Sequence, residues 1–287
     1  MTLHALLLLL CAALLHASWN LLVKRSRDKQ VFTWCAMCAA AVLFSPLILR
    51  DLGILRVVDW RFVVGSAAVE VVYYAALARA YEHGDYSLVY PIARGSAPAF
   101  IALWAVLLLG EQVSVWGGLG IAMIALGIQA IHQESFRRLR HPLHLLRAPG
   151  TRWALAVGLL ISVYSSIDKV AVGRIPPDRY IVLVFGLVAL LPAPYLLARR
   201  GISAVVAEWR ANALPIVAVG AMNLLSYLLV LQAMQDANVS YVGAVREMSV
   251  VMAALLGAVL MREGFGLVRI VAACVIFAGV IVIAGYG

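Results

Sequence analysis

Apolar residues in this chain come in long unbroken runs rather than in alternation. They occupy about 3–23, 31–49, 61–81, 86–109, 115–132, 153–172, 179–198, 212–234, 239–261 and 266–286, with short polar stretches between. A helix crossing a bilayer needs about 20 predominantly apolar residues, so the pattern predicts ten transmembrane helices. Strands of a membrane barrel would alternate apolar and polar positions, which Ala99–Leu109 does not do. No Lys or Arg precedes the first run, and the basic cluster Lys24, Arg25, Arg27, Lys29 follows it. The run therefore reads as the first span, not as a cleaved leader. Composition agrees: the 287 residues are 64% hydrophobic and 13% charged, with a mean hydropathy of +0.96, whereas soluble domains carry about 25% charged residues. A soluble globular domain, a secreted disulfide scaffold and a nucleic-acid-binding module are excluded as the main reading.

The chain repeats itself. At an offset of 153, Glu70, Tyr74, Ala80 and Ser87 fall on Asn223, Tyr227, Ala233 and Ser240. At 152, Arg94, Glu111 and Gly127 fall on Arg246, Glu263 and Gly279; at 145, Trp19 and Lys24 fall on Tyr164 and Lys169. Polar matches at shared depths are far more informative than coincident leucines. The division is a first unit at 1–132, a basic linker at 133–152 and a second unit at 153–287. Each unit holds five spans, and five is odd, so the second enters the membrane from the opposite side. The predicted fold is an all-α integral membrane protein of ten transmembrane helices in two inverted-topology five-helix repeats. Such repeats accompany alternating access around a midplane site between the halves.

Three stretches carry a family resemblance: Trp19-Asn20 with Lys24, the run from Ser87 through Arg94 to Gly110-Glu111, and its echo from Ser240 to Arg262-Glu263. Together they resemble the EamA family of the drug/metabolite transporter superfamily, across essentially the whole chain. Asn20 stands where the family often has Gly, and Val250 where a partner of Pro98 is expected. The resemblance implies a multi-pass transporter of the bacterial inner (plasma) membrane that exports a small organic metabolite. The same fold suits a flippase for a lipid-linked sugar or phosphate headgroup, which stays open as the alternative.

Loop bases give an orientation. About thirteen Lys and Arg fall on the side that includes the 133–152 linker, and about five on the other. Cytoplasmic loops hold the excess of bases, so the count predicts both termini outside; the resemblance implies the reverse, and the count is preferred. The linker itself reads as a solvated segment at an anionic leaflet.

Ionisable groups inside spans are rare and tend to be paired or functional. Glu70, Arg94, Arg246 and Glu247 lie about seven to nine residues into their spans, roughly 10–13 Å deep. Arg94 and Arg246 are repeat mates, and guanidinium recognises carboxylate or phosphate in bidentate fashion. The predicted substrate is therefore an anionic or zwitterionic amphipathic solute. The competing reading makes these four residues structural ion pairs, Arg94–Glu70 and Arg246–Glu247 or crossed. Glu70 and Glu247 are the candidates for proton coupling, with solute exchange as the other coupling mode. Tyr74, Tyr164, Tyr227, Trp19, Asn20 and Asn223 accompany the charges at repeat-related positions and complete the candidate substrate site. Tyrosine there offers a flat apolar face with a hydrogen-bonding tip.

Lesser features have plainer expectations. Lys24 and Lys169 snorkel, Asp168 pairs with Lys169, Ser87 and Ser240 cap their helices, and Glu111 and Glu263 are capping or interfacial carboxylates. Pro91 and Pro98 kink the fourth span, so that the first half bends more than the second. Gly118 and Ala122 form a small-residue face on the fifth span that suits a homodimer. Cys11, Cys35, Cys38 and Cys274 all lie in apolar runs and read as free thiols. There is no Walker loop, no His-Glu-x-x-His and no nucleophile elbow. Neither catalysis nor a cofactor nor a metal is expected, and no nucleic-acid partner; the partners are a small-molecule substrate and the bilayer.

Overall fold

Where the backbone has no water to bond, it must satisfy itself, and the regular structure among the described residues is helical. The computed structural model describes residues 1–24, 26, 28–84, 86–131, 149–261 and 267–287. Among them run α1 (Leu3–Lys24), α2 (Lys29–Phe44), the short α3 (Pro46–Leu49) and α4 (Ile54–Val57), α5 (Trp60–His83), α6 (Tyr86–Leu107) and α7 (Val115–Ile131). There follow α8 (Pro149–Val172), α9 (Pro177–Leu190), α10 (Ala193–Asp236), α11 (Val239–Arg246), α12 (Met248–Met261) and α13 (Leu267–Tyr286). The expected 133–152 linker lies almost wholly outside the described residues, as do Arg25, Arg27, Arg262, Glu263 and the side chains of Lys24 and Ser87. Only its last residues are described; they open α8 from Pro149, a residue type suited to the first helical turn.

Among the described residues, eight helical segments are long and apolar enough to cross a membrane, against the ten that were expected. The expected fifth span is α7, apolar but only 17 residues long. The expected seventh is split: α9 ends at Leu190, the turn at Leu191–Pro192 intervenes, and the chain continues into α10. α10 itself is bent at Gly201 (φ 76°) and Asn212 (φ −136°). The prolines do not interrupt their helix. α6 runs through Pro91 and Pro98 without interruption, while the expected ninth span breaks at Glu247 between α11 and α12.

Carboxylates start two helices. Asp28 accepts from the N–H groups of Gln30 and Val31 at the head of α2. Asp59 accepts from Arg61 N–H at the head of α5, and the Arg61 guanidinium grips the same carboxylate at 3.0 and 2.8 Å. That grip holds Asp59 below the usual carboxylate range, so the cap stays charged until the pH falls through the lowered value.

Packing interleaves the two ends of the chain. α1 lies against α10 and α12, and α8 lies against α5 and α6. α2 meets α10, α9 meets α5, and α7 packs along α13. Exchange each first-half helix for its sequence repeat mate, and each of these contacts becomes another that is also present. Glycines permit the close approaches: a Cβ on Gly120 of α7 would come 2.8 Å from Gly279 O of α13, and one on Gly279 2.8 Å from Gly120 O. Gly118 meets nothing within 4 Å.

Candidate functional site

The break at Glu247 sets a carboxylate in the middle of the protein. Glu247 N–H turns back to Ala244 O at 3.0 Å, ending α11 one residue before α12 begins. Its side chain is fully buried. One oxygen lies 2.9 Å from Arg94 Nε of α6 and the other 3.9 Å from Arg246 Nε of α11. One carboxylate therefore stands between the two repeat-related arginines, which are 9% and 6% exposed. The contacts are ionic without hydrogen-bond alignment: Nε and Nη2 of both arginines and both Glu247 oxygens lack a hydrogen-bond partner. Buried donors left in this way call for an explanation.

Arg94 meets Glu247 rather than Glu70, and Arg246 also lies against Glu247, so the arrangement takes one contact from each of the two pairings expected. Glu70 is buried on α5, within electrostatic reach of Arg246 and Asp168. Tyrosines then make a row of edge-to-face rings: Tyr74 to Tyr73 at 4.9 Å, Tyr73 to Tyr164 at 6.1 Å, Tyr164 to Tyr227 at 6.2 Å. Tyr74 ends the row 37% exposed. Asn223 is half-buried one turn before Tyr227 on α10.

The α1 candidates stand apart from that row. Trp19 packs against the apolar cluster of α2 and α10, its Nε1 buried without a partner. Its ring meets His16 edge-on at 4.8 Å. Asn20 spends its amide on His16 O of its own helix at 2.7 Å. His16 lies within electrostatic reach of both Arg94 and Arg246.

Asp168 was the principal omission from the sequence reading. It does not pair with Lys169. It is fully buried and accepts hydrogen bonds from Ser66 Oγ (2.6 Å), Tyr180 OH (2.6 Å) and Tyr227 OH. Lys169 instead donates to Met234 O and Ala237 O, capping the last turn of α10. The available signal was spacing: Asp168 is one turn beyond Tyr164, whereas adjacent residues on a helix do not face each other. Glu111 does cap: it accepts from Val239 N–H (2.7 Å), Ser240 N–H (3.2 Å) and Ser240 Oγ (2.9 Å) at the head of α11. The Ser240 hydroxyl thus bonds Glu111 and is not itself the cap; the capping position belongs to Asn238. Gly110, at φ 67°, turns the chain so that Glu111 can reach across.

Comparison with known proteins points one way. A model of the EamA-like transporter family matches residues 3–132 and again 148–285. A solved structure titled only "Crystal structure of protein" superposes with a TM-score of 0.74 at 18% identity, over 97% of this chain and 95% of that one. At that identity the likeness shows the fold alone. No curated protein matches the chain.

Proposed function

The chain belongs to the EamA-like transporter family, multi-pass membrane proteins that transport and do not catalyse, and from that premise we propose that it carries a small organic solute with an anionic or zwitterionic headgroup. The observation that carries this reading is the pair of buried guanidiniums with unsatisfied donors around a single carboxylate. Two cations against Glu247 leave positive charge and bidentate donors for a carboxylate or phosphate of the solute. The Tyr73, Tyr74, Tyr164 and Tyr227 rings supply the apolar wall beside it. The solute moves by alternating access, the two halves rocking as inverted repeats about this site and exporting across the bacterial inner membrane. The exchange relation among the helix contacts supports that mechanism, because transporter sites lie at the interface of related halves.

The test begins with extracellular and intracellular metabolites of cells with and without the chain, followed by flux of the best hit in proteoliposomes. Arg94→Ala and Arg246→Ala abolish flux in protein that still elutes as a folded species. Arg94→Lys keeps the charge but loses the fork, and raises the KM about tenfold or more. Wild-type flux in both alanine variants overturns the reading.

A further inference from the structure

Asp168 plays no part in the solute site as drawn. It is nonetheless the most completely enclosed carboxyl beside Glu247 among the described residues, at 0% exposure. No Lys, Arg or His contacts it within ion-pair distance among those residues, and the adjacent Lys169 is turned to the end of α10. Its three partners are all hydroxyls, delivered by three elements: Ser66 from α5, Tyr180 from α9, Tyr227 from α10. Ser66 belongs to the N-terminal stretch matched to the family and Asp168 to the C-terminal stretch, so this hydrogen bond crosses between them.

We propose that Asp168 is a proton-binding site of this protein, and that its charge state is linked to the solute site through the tyrosine row. This deepens the transport reading and rests on it for the linkage, though not for proton binding itself. As the anion, Asp168 has its three hydroxyl donors. As the acid, one carboxyl oxygen becomes a donor, and a displaced hydroxyl needs another acceptor. One is in place: Phe62 O lies 3.5 Å from Tyr180 OH. Phe62 is also the residue four before Ser66 on α5, the carbonyl to which a helical serine turns. The site can therefore hold either state with its polar groups bonded. One proton arrives from water, the O–H bond forms at Asp168, and one hydroxyl swings to Phe62 O; release reverses each step.

The titratable groups that act on Asp168 come from several sides: Glu70 on α5, Tyr180 on α9, Tyr227 on α10 and Arg246 on α11. Glu70 is one turn from Ser66 and feels the Asp168 charge, so the two acids titrate as an interacting set. Tyr227 connects this set to the arginines, since its hydroxyl bonds Asp168 and its ring packs on Tyr164.

The experiment is an infrared pH-difference titration of the purified full chain, with the proton as the only ligand. Wild-type protein shows a carboxylic-acid C=O band that titrates; Asp168→Asn lacks it, and Glu70→Gln retains it. If Asp168→Asn does not fold, Ser66→Ala and Tyr227→Phe decide. Each keeps the acid and removes one donor to its anion, and each strengthens proton binding about tenfold. An unchanged band in Asp168→Asn, or unchanged midpoints in both donor variants, overturns the proposal. No solute enters these measurements, so their failure is separable from failure of the arginine variants to lose flux. The linkage is read by flux of the solute found above: a pH gradient accelerates it in the wild type and does not in Asp168→Asn. Equal acceleration in the two would overturn the linkage.

Discussion

Glu247 shows how one side chain decides what its neighbours can do. Without it, Arg94 and Arg246 would have no carboxylate at ion-pair distance among the described residues, and Arg246 only the more distant charges of Glu70 and Asp168. Breaking a buried ion pair by removing one partner is destabilising by about 3–5 kcal/mol. Glu247→Gln is therefore expected to unfold several degrees or more below the wild type in a thermal melt, and Arg94→Gln in the same background to recover part of the loss. A melt unchanged by Glu247→Gln would show that the arginines are neutralised by something other than this carboxylate. The charges themselves are legible in the sequence, because Arg94 and Arg246 interrupt apolar runs and align at one offset. Their pairing is not legible. Whether Glu247 serves Arg246, its chain neighbour, or Arg94, distant in sequence, depends on a local break that no proline or glycine announces. Asp168 was hidden for a related reason: the adjacent lysine offers a partner in sequence that helical geometry turns away.

At the scale of elements, run length and hydropathy predict where helices lie, because the bilayer selects on both. They predict interruptions poorly. Pro91 and Pro98 each remove one helical hydrogen bond, one on each side of Arg94, yet α6 is continuous; between them Pro91 O takes an added bond from Gln129 Nε2 of α7 at 3.1 Å. Neighbouring helices can supply what a transmembrane proline removes. The glycines of α7 divide by face in the same way. Gly120 meets the backbone of α13, whereas Gly118 is open. Gly120→Val is thus expected to force α7 from α13 and cost about 1–3 kcal/mol, seen as lost monodisperse protein in fluorescence-detected size exclusion. Gly118→Val, two residues away, should elute as the wild type. Equal damage from both would mean that Gly118 also faces a packed surface, as a second copy of the chain would provide.

For the whole molecule, the end that bears both chain termini is held by contacts across the two halves. Glu111 caps α11, Ser114 N–H donates to Tyr241 OH at 3.0 Å, and Ser114 Oγ donates to Tyr286 O at 3.0 Å. At the same end the Arg174 guanidinium lies 5.2 Å from the Phe62 ring centre. This end carries Arg50, Arg56, Arg61, Arg174 and Arg179, while the opposite end collects the larger share of Lys and Arg along the sequence. Long-chain bases in short loops are retained on the cytoplasmic side, and acidic residues contribute little to that choice. The latched end, with both termini, is therefore expected to face outward. Arg94, Arg246 and Lys169 do not enter this count, because they are engaged inside the protein and report the site rather than the topology. A reporter that is active only in the cytoplasm, fused after Gly287, should stay silent, and one active only outside should give signal. A strong cytoplasmic signal would reverse the orientation, and with it the face to which the Glu111 latch must open during export.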